Sequence, residues 1–351
     1  MSDLQSSVSP LFEPETRTRG RKPVMIWLYF VAAMIATMIL VGGATRLTES
    51  GLSITEWKPV TGILPPLSDS DWADAFAKYR QIPQYVQINR GMSLTEFRSI
   101  FWWEWAHRFL GRMIGFVFLL PFLFFLATGR ISRELAPRLA FIFVLGGLQG
   151  ALGWFMVASG LVDRVDVSQY RLAAHLSLAV FIFAAIIWVA EGLRAPQGRV
   201  PAPALKWSAW ALAVLISLQI VVGGFVAGLD AGLAYPTWPL MDGRFIPEGL
   251  LFIQPWWRNF FESVLTVQFM HRMVGYAVVL AALFHAARSL FVGRSRRALY
   301  IGAFAFAQMA LGIWTLLSGV DLHIALTHQA GAILLVALVT SHLRSLHPAR
   351  G

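Results

Sequence analysis

The sequence predicts an all-α integral membrane protein with eight transmembrane helices, arranged as two four-helix bundles related by a pseudo-two-fold axis. Three observations support this prediction. The 351 residues are 57% hydrophobic and only 14% charged, which lies outside the range of ordinary soluble domains. Eight apolar runs have about the length of roughly 20 residues that a bilayer-spanning helix needs. Finally, the second half of the chain repeats motifs of the first half in the same order.

The predicted spans follow a polar segment, residues 1–24, whose composition indicates a disordered tail. No small-residue cleavage site follows the first span, so we interpret it as a retained helix and not as a signal peptide. The eight spans are predicted at residues 25–44, 102–127, 138–158, 171–190, 207–228, 266–287, 298–317 and 323–343.

The net charge of +10 is concentrated in alternate loops. Arginine and lysine precede the first span and follow the second, fourth, sixth and eighth spans. This positive-inside pattern predicts that both termini are cytoplasmic, and it explains the charge without nucleic acid as a partner. The chain contains no cysteine, which excludes disulfides, thiolate ligands and cysteine redox chemistry.

The two halves match without a gap around their first spans. Val41–Leu52 (VGGATRLTESGL) aligns with Val222–Leu233 (VGGFVAGLDAGL), and Gln149 in span three aligns with Gln308 in span seven. Each copy has four spans, so both copies have the same orientation and the repeat is parallel. The predicted organisation is an N-terminal unit, 25–190, a cytoplasmic linker, 191–206, a C-terminal unit, 207–343, and a cytoplasmic tail, 344–351.

Two long connections, about 45–101 and 229–265, lie opposite the basic loops. Both are rich in tryptophan and proline. Connections of this length often form lids or binding loops, and an aromatic belt at the membrane interface is the alternative. Within the first, the spacing of three aromatic residues predicts a short interfacial helix over Asp71–Arg80.

Four of the eight histidines occupy repeat-equivalent places, each in the first turns of an even-numbered span. By the predicted topology they all lie toward the external side. Ionisable side chains at such depth are costly and therefore indicate function, although a polar packing contact is the alternative for any single histidine. Histidines on two facing helices can hold haem iron from both sides. The pattern predicts two haems, one bound by His107 and His175 and the other by His271 and His328.

The residues beside these histidines differ between the units. Arg108 and Arg272 directly follow their histidines, where they are suited to pair with haem propionates or to anchor the helix at the interface. Glu104 lies one turn before His107 on the same helix face, whereas Gln268 occupies the matching place in the second unit. Because a carboxyl can transfer a proton and an amide cannot, the first unit is predicted to be the reaction site. The second is predicted to hold an electron-transfer haem.

Three motifs resemble the haem A synthase family, over about residues 25–343. They are TRLTESGLSITEWKPVTGILPP (Thr45–Pro66), the EWAHR of the second span and the HR of the sixth. The resemblance implies oxidation of the C8 methyl of haem O to a formyl group by successive hydroxylations. The product, haem A, serves terminal oxidase assembly. Many members carry a cysteine pair in the first external loop, so this chain resembles the cysteine-free subgroup.

The resemblance also implies roles for single residues. His107 and His175 would bind the substrate or product haem, and His271 and His328 would bind a retained haem b. Glu104 matches a glutamate that the family requires for activity. The implied location is the bacterial inner membrane, with haem O synthase, cytochrome oxidase assembly factors and a membrane electron donor as partners. A homo-oligomer is compatible with this interpretation.

Two other functions remain open from the residues alone. One is a dihaem b-type cytochrome that passes electrons from quinol, which would place its haems near opposite membrane faces. The other is a membrane haem transporter or chaperone, which would need no difference between Glu104 and Gln268.

Overall fold

The computed structural model describes residues 13–58, 61–194, 204–292 and 295–347. Within these ranges the chain forms helices and no β-strand. Eight of the helices are long and apolar enough to cross a membrane, one for each predicted span. The predicted all-helical class is therefore confirmed, and the protein is a multi-pass membrane protein.

Short helices lie on the long connections between the spans. In chain order the helices are α1 (Glu13–Leu47), α2 (Asp69–Tyr79), α3 (Pro83–Gln87), α4 (Leu94–Ala127), α5 (Ala136–Ala158), α6 (Gln169–Gly192), α7 (Ala204–Gly228), α8 (Ala231–Ala234), α9 (Asn259–Glu262), α10 (Val264–Val292), α11 (Arg296–Leu317) and α12 (Leu322–Ser345).

Two long helices begin earlier than the hydropathy pattern indicates. The predicted disordered tail is helical from Glu13 onward, while residues 1–12 lie outside the described residues. Glutamate, arginine and lysine in this stretch have good helix propensity, so the helix continues beyond its apolar part. Helix α4 begins at Leu94, well before residue 102, because Ser93 and Glu96 form a capping box.

Each half of the chain packs as a ring of four long helices. Helix α1 contacts α4, α4 contacts α5, α5 contacts α6, and α6 returns to α1. Helices α7, α10, α11 and α12 contact one another in the same order. Contacts of α6 with α7 and of α12 with α1 and α6 join the rings around a shared apolar core. The division into two units and their pseudo-two-fold axis stay predictions.

The contact between α6 and α7 depends on small residues. A Cβ added at Gly224 would lie 3.0 Å from the Cα of Ala173, and one added at Gly228 would lie 2.7 Å from the Cα of Gln169. These glycines stand one turn apart on α7. Helices in a bilayer gain little from burying apolar surface, so close backbone approach of this kind is a main source of their association.

The first long connection folds onto the start of α4. The predicted short helix is α2, and Ser68 caps its N-terminus. Trp72 and Tyr79 are buried, with ring centroids 4.9 Å from Phe101 and 5.2 Å from Phe97, respectively. Helix α2 thus packs its aromatic face against protein. This packing extends the bundle beyond the membrane-length part of α4.

Candidate functional site

The four repeat-equivalent histidines lie at one end of the bundle, the end that carries the two long connections, which we call the loop end. His107 of α4 and His175 of α6 lie on helices of the same four-helix ring. His271 of α10 and His328 of α12 are related in the same way. All four side chains are half-buried. Each predicted pair therefore lies within one ring of four helices, and its binding of haem iron stays a prediction.

A glycine of the preceding long helix contacts each of these rings. A Cβ added at the glycine would lie between 2.8 and 3.2 Å from the nearest ring atom. Any larger residue would therefore displace the ring, so the glycines determine where the four imidazoles lie. The contacts are Gly42 with His107, Gly153 with His175, Gly223 with His271, and Gly312 with His328.

The second glycine of each Gly-Gly pair has a different role. Gly224 allows the approach of α6, as described above. Gly43 lies beside Gln329 of α12, whose Nε2 donates to the Ile39 carbonyl at 3.0 Å. Each glycine pair therefore serves one histidine and one contact between the two rings of helices.

Three of the histidines are also contacted by a glutamine of the preceding long helix. Its Nε2 donates to the histidine carbonyl at 2.6 to 3.0 Å and lies 3.1 to 3.4 Å from a ring nitrogen. The pairs are Gln149 with His175, Gln219 with His271, and Gln308 with His328. The sequence indicated the match of Gln149 with Gln308, but their role as histidine partners was missed. Their constant spacing, four residues before the ring-contacting glycine, was the available signal.

Glu104 is buried, and its carboxylate anchors the first long connection. One oxygen accepts from Ser53 Oγ and from the Ile54 N–H, both at 2.7 Å. The other pairs with Arg108 Nη2 at 2.6 Å. Arg108 in turn donates to the carbonyl of Ile54 at 2.7 Å and to that of Glu56 at 3.0 Å. Three hydrogen-bond donors therefore offset the cost of burying this carboxylate.

The second unit anchors its long connection with the matching residues, Arg272 and Gln268. The two arginines act alike, but Gln268 donates a hydrogen bond where Glu104 accepts one. Arg272 Nη2 donates to the Tyr235 carbonyl at 2.8 Å, and Tyr235 aligns with Ile54 in the repeat. Gln268 Nε2 donates to the same carbonyl at 3.3 Å. Glu104 thus accepts from the connection where Gln268 donates to it. Both arginines contact loop carbonyls, and whether they also bind propionates stays a prediction.

Charged side chains hold the outer part of the first connection. Glu56 accepts hydrogen bonds from Lys58 and Lys78, each at 3.0 Å. The hydrogen bond from Lys58, followed by that from Lys78, lowers the pKa of the Glu56 carboxyl. The contribution of this cluster is present at neutral pH and is lost only as the pH falls through the lowered pKa.

A second histidine pair, which the sequence pattern does not indicate, lies at the opposite end of α10 and α12. His285 and His342 are fully buried, with their Nε2 atoms 2.9 Å apart, and Ser208 Oγ lies 2.8 Å from His285 Nδ1. They stand 14 residues beyond His271 and His328 on the same helices. At 2.9 Å the two nitrogens form a hydrogen bond, and no iron fits between them. The pair joins α7, α10 and α12.

The four histidines at the loop end fit haem iron. Within the described ranges, no three or more His, Cys, Asp or Glu side chains converge as a metal site. Haem needs only two protein ligands, because the porphyrin supplies the other four. Nδ1 of His175 and Nδ1 of His271 are buried without a hydrogen-bond partner in the part of the chain that the structure describes. Such atoms are costly, and a bound iron would give each ring a strong partner.

The fold defines a multi-pass helical membrane protein, and two predicted pairs of haem ligands lie at one end of its bundle. The chain belongs to the COX15-CtaA family, described as cytochrome oxidase assembly protein, whose family model matches residues 25–340. This confirms the resemblance that the motifs indicated.

Several relatives are similar over nearly their whole length. A protein named heme A synthase from Chelativorans sp. (strain BNC1) is 53% identical over 342 residues, which cover 96% of this chain and 94% of the relative. The heme A synthase of Parvibaculum lavamentivorans is 54% identical over 322 residues, covering 91% and 93%, respectively. That of Bradyrhizobium diazoefficiens is 56% identical over 331 residues, covering 93% and 92%.

Proposed function

We propose that this protein is a haem A synthase, an oxidoreductase that converts the C8 methyl of haem O to a formyl group. The family membership and the relatives named heme A synthase support the reaction. The observation that carries the assignment of the site is the difference between two otherwise matching units. Among the residues that the structure describes, the first unit has a buried carboxylate, Glu104, one turn before His107, and Gln268 stands at the matching place in the second.

In this proposal each histidine pair has its own task. His107 and His175 hold the substrate haem, and the contacts of their rings with Gly42 and Gly153 fix its position. A haem b held by His271 and His328 would supply one-electron transfer.

Glu104 supplies a carboxyl group one helical turn before His107, where it can transfer a proton or stabilise a developing positive charge. Its contacts with Ser53, Ile54 and Arg108 also anchor the first connection to α4. Arg108 and Arg272 are the candidates for propionate binding. Haem O synthase and cytochrome oxidase assembly factors are the proposed partners, and a homo-oligomer is compatible with the fold.

Haem analysis tests the proposed function directly. Membranes expressing this chain together with a haem O synthase should contain haem A, and membranes expressing the haem O synthase alone should contain haem O. Extraction and chromatography of the pigments measure both. Haem b as the only pigment bound to the purified chain would support a b-type cytochrome instead and would contradict the synthase.

The proposed orientation places both termini in the cytoplasm and the loop end outside. Reporter fusions at Gly198, in the basic linker, and at Asp242, in the second long connection, should therefore report opposite sides, because arginine and lysine are retained on the cytoplasmic side. Alkaline phosphatase activity is expected at Asp242 and not at Gly198. A fusion at Gly351 serves as the control and should match Gly198. Signals from the same side at Gly198 and Asp242 would refute the parallel repeat.

A further inference from the structure

A glutamine contacts the histidine at three of the four imidazoles of the loop end. Gln149, Gln219 and Gln308 each stand four residues before the glycine that contacts the ring. Each donates its amide hydrogen to the carbonyl of its histidine and lies near a ring nitrogen. His107 is the exception. The repeat is therefore broken at one imidazole of the first unit, that of His107.

Met38 of α1 stands at the place that Gln219 has in α7. Its Cε would lie 3.2 Å from a Cβ added at Gly111, just as Gln219 Nε2 would lie 3.3 Å from one added at Gly275. The two side chains therefore fill equivalent space beside α4 and α10. A thioether cannot donate a hydrogen bond. Among the described residues, no side chain forms a hydrogen bond with the His107 ring.

We propose that residue 38 controls how long haem stays in the first unit. Met38 leaves His107 as the one iron ligand without an amide partner, so the haem between His107 and His175 can exchange. Gln219 and Gln308 hold both ligands of the haem in the second unit, which stays. This inference rests on the proposed function, because it assigns the exchanging haem to the first pair.

The proposed roles of the two haems require different residence times. A substrate must enter and its product must leave in every turnover, whereas an electron-transfer haem must remain bound. An amide N–H cannot donate to the protonated nitrogen of an iron-bound imidazole, so each glutamine holds its histidine through the main-chain carbonyl. Partners that position a metal ligand typically change metal affinity on the order of 10- to 100-fold. Gln149 still holds the main chain of His175, so the first unit keeps one ligand anchored by an amide, while His107, among the described residues, has only its contact with Gly42. One side chain is therefore sufficient to separate the two residence times.

A reciprocal exchange of the two residues tests the proposal. Met38→Gln and Gln219→Met are made in the full chain, which is co-expressed with a haem O synthase and purified in detergent. Excess apomyoglobin then captures released haem, and extraction identifies it as haem O, haem A or haem b. Met38→Gln is expected to slow the release of haem O and haem A on the order of tenfold and to leave haem b unchanged. Gln219→Met is expected to accelerate the release of haem b by a similar factor.

Met38→Leu is the matched control, because leucine also lacks a donor and should release haem at the wild-type rate. Damage to the packing would accelerate release in both exchanges, so slower release from Met38→Gln cannot arise from misfolding. An unchanged or faster release from Met38→Gln overturns the inference, and so does an unchanged release of haem b from Gln219→Met. Absence of haem O and haem A from the wild-type protein would instead contradict the proposed function.

Discussion

Replacing Glu104 with glutamine is expected to stop formation of the formyl group while the protein keeps its fold and its haem b. The change gives the first unit the residue that the second unit has, Gln268. A positioned acid or base contributes on the order of 100- to 10,000-fold to a reaction rate, and an amide cannot replace it. Haem O or a partly oxidised product should accumulate. Pigment extracts of membranes that express the variant measure this outcome.

The contacts of Glu104 provide a second possible reason for lost activity, and a control separates the two. Its carboxylate accepts from Ser53, Ile54 and Arg108, and a glutamine would direct its amide hydrogens toward one of these donors. Ser53→Ala removes one of these contacts and leaves the carboxylate in place. Activity comparable to wild type is expected for Ser53→Ala. Equal losses in the two variants would indicate anchoring of the connection, and near-normal haem A in Glu104→Gln would contradict a catalytic carboxylate.

Replacing His271 with alanine is expected to remove haem b from the purified protein. One of the two proposed iron ligands is then absent, and the contacts with Gly223 and Gln219 no longer orient a ring. Even changes to partners of a ligand lower metal affinity on the order of 10- to 100-fold, so loss of the ligand itself should cost at least as much. Haem b per polypeptide, measured by pigment extraction, is the readout. His328→Ala should behave in the same way.

His323→Ala is the matched control for this experiment. His323 lies on the same helix as His328, five residues earlier, and its side chain is exposed near the start of α12. The variant should keep haem b at the wild-type level. If haem b and its spectrum survived both His271→Ala and His328→Ala, the assignment of the second pair would be wrong.

The sequence was sufficient for the features that depend on composition and repeat spacing. Hydropathy located all eight spans, and the aromatic spacing between Trp72 and Tyr79 predicted α2. The repeat identified the four histidines as equivalent, and the structure places all four at the loop end, while their pairing about haem stays a prediction. The limits of α4 were less accurate, because a capping box extends a helix beyond its apolar part.

The tertiary structure decided which polar groups meet. Ser53 and Glu104 are far apart in the chain, as are His285 and His342, yet each pair is hydrogen-bonded. His285 and His342 are both fully buried. Their burial depends on how α7, α10 and α12 pack.

By itself, the sequence therefore determined the helical membrane class, the repeat and the residue types available for chemistry. These properties follow from local hydrophobicity and from positions that recur at a constant spacing. Only the tertiary structure decided that Glu104 accepts from the first connection and that three glutamines, but not Met38, support the histidines. A hydrogen bond requires atoms from distant segments to approach within about 3 Å, and that distance depends on the packing of whole helices.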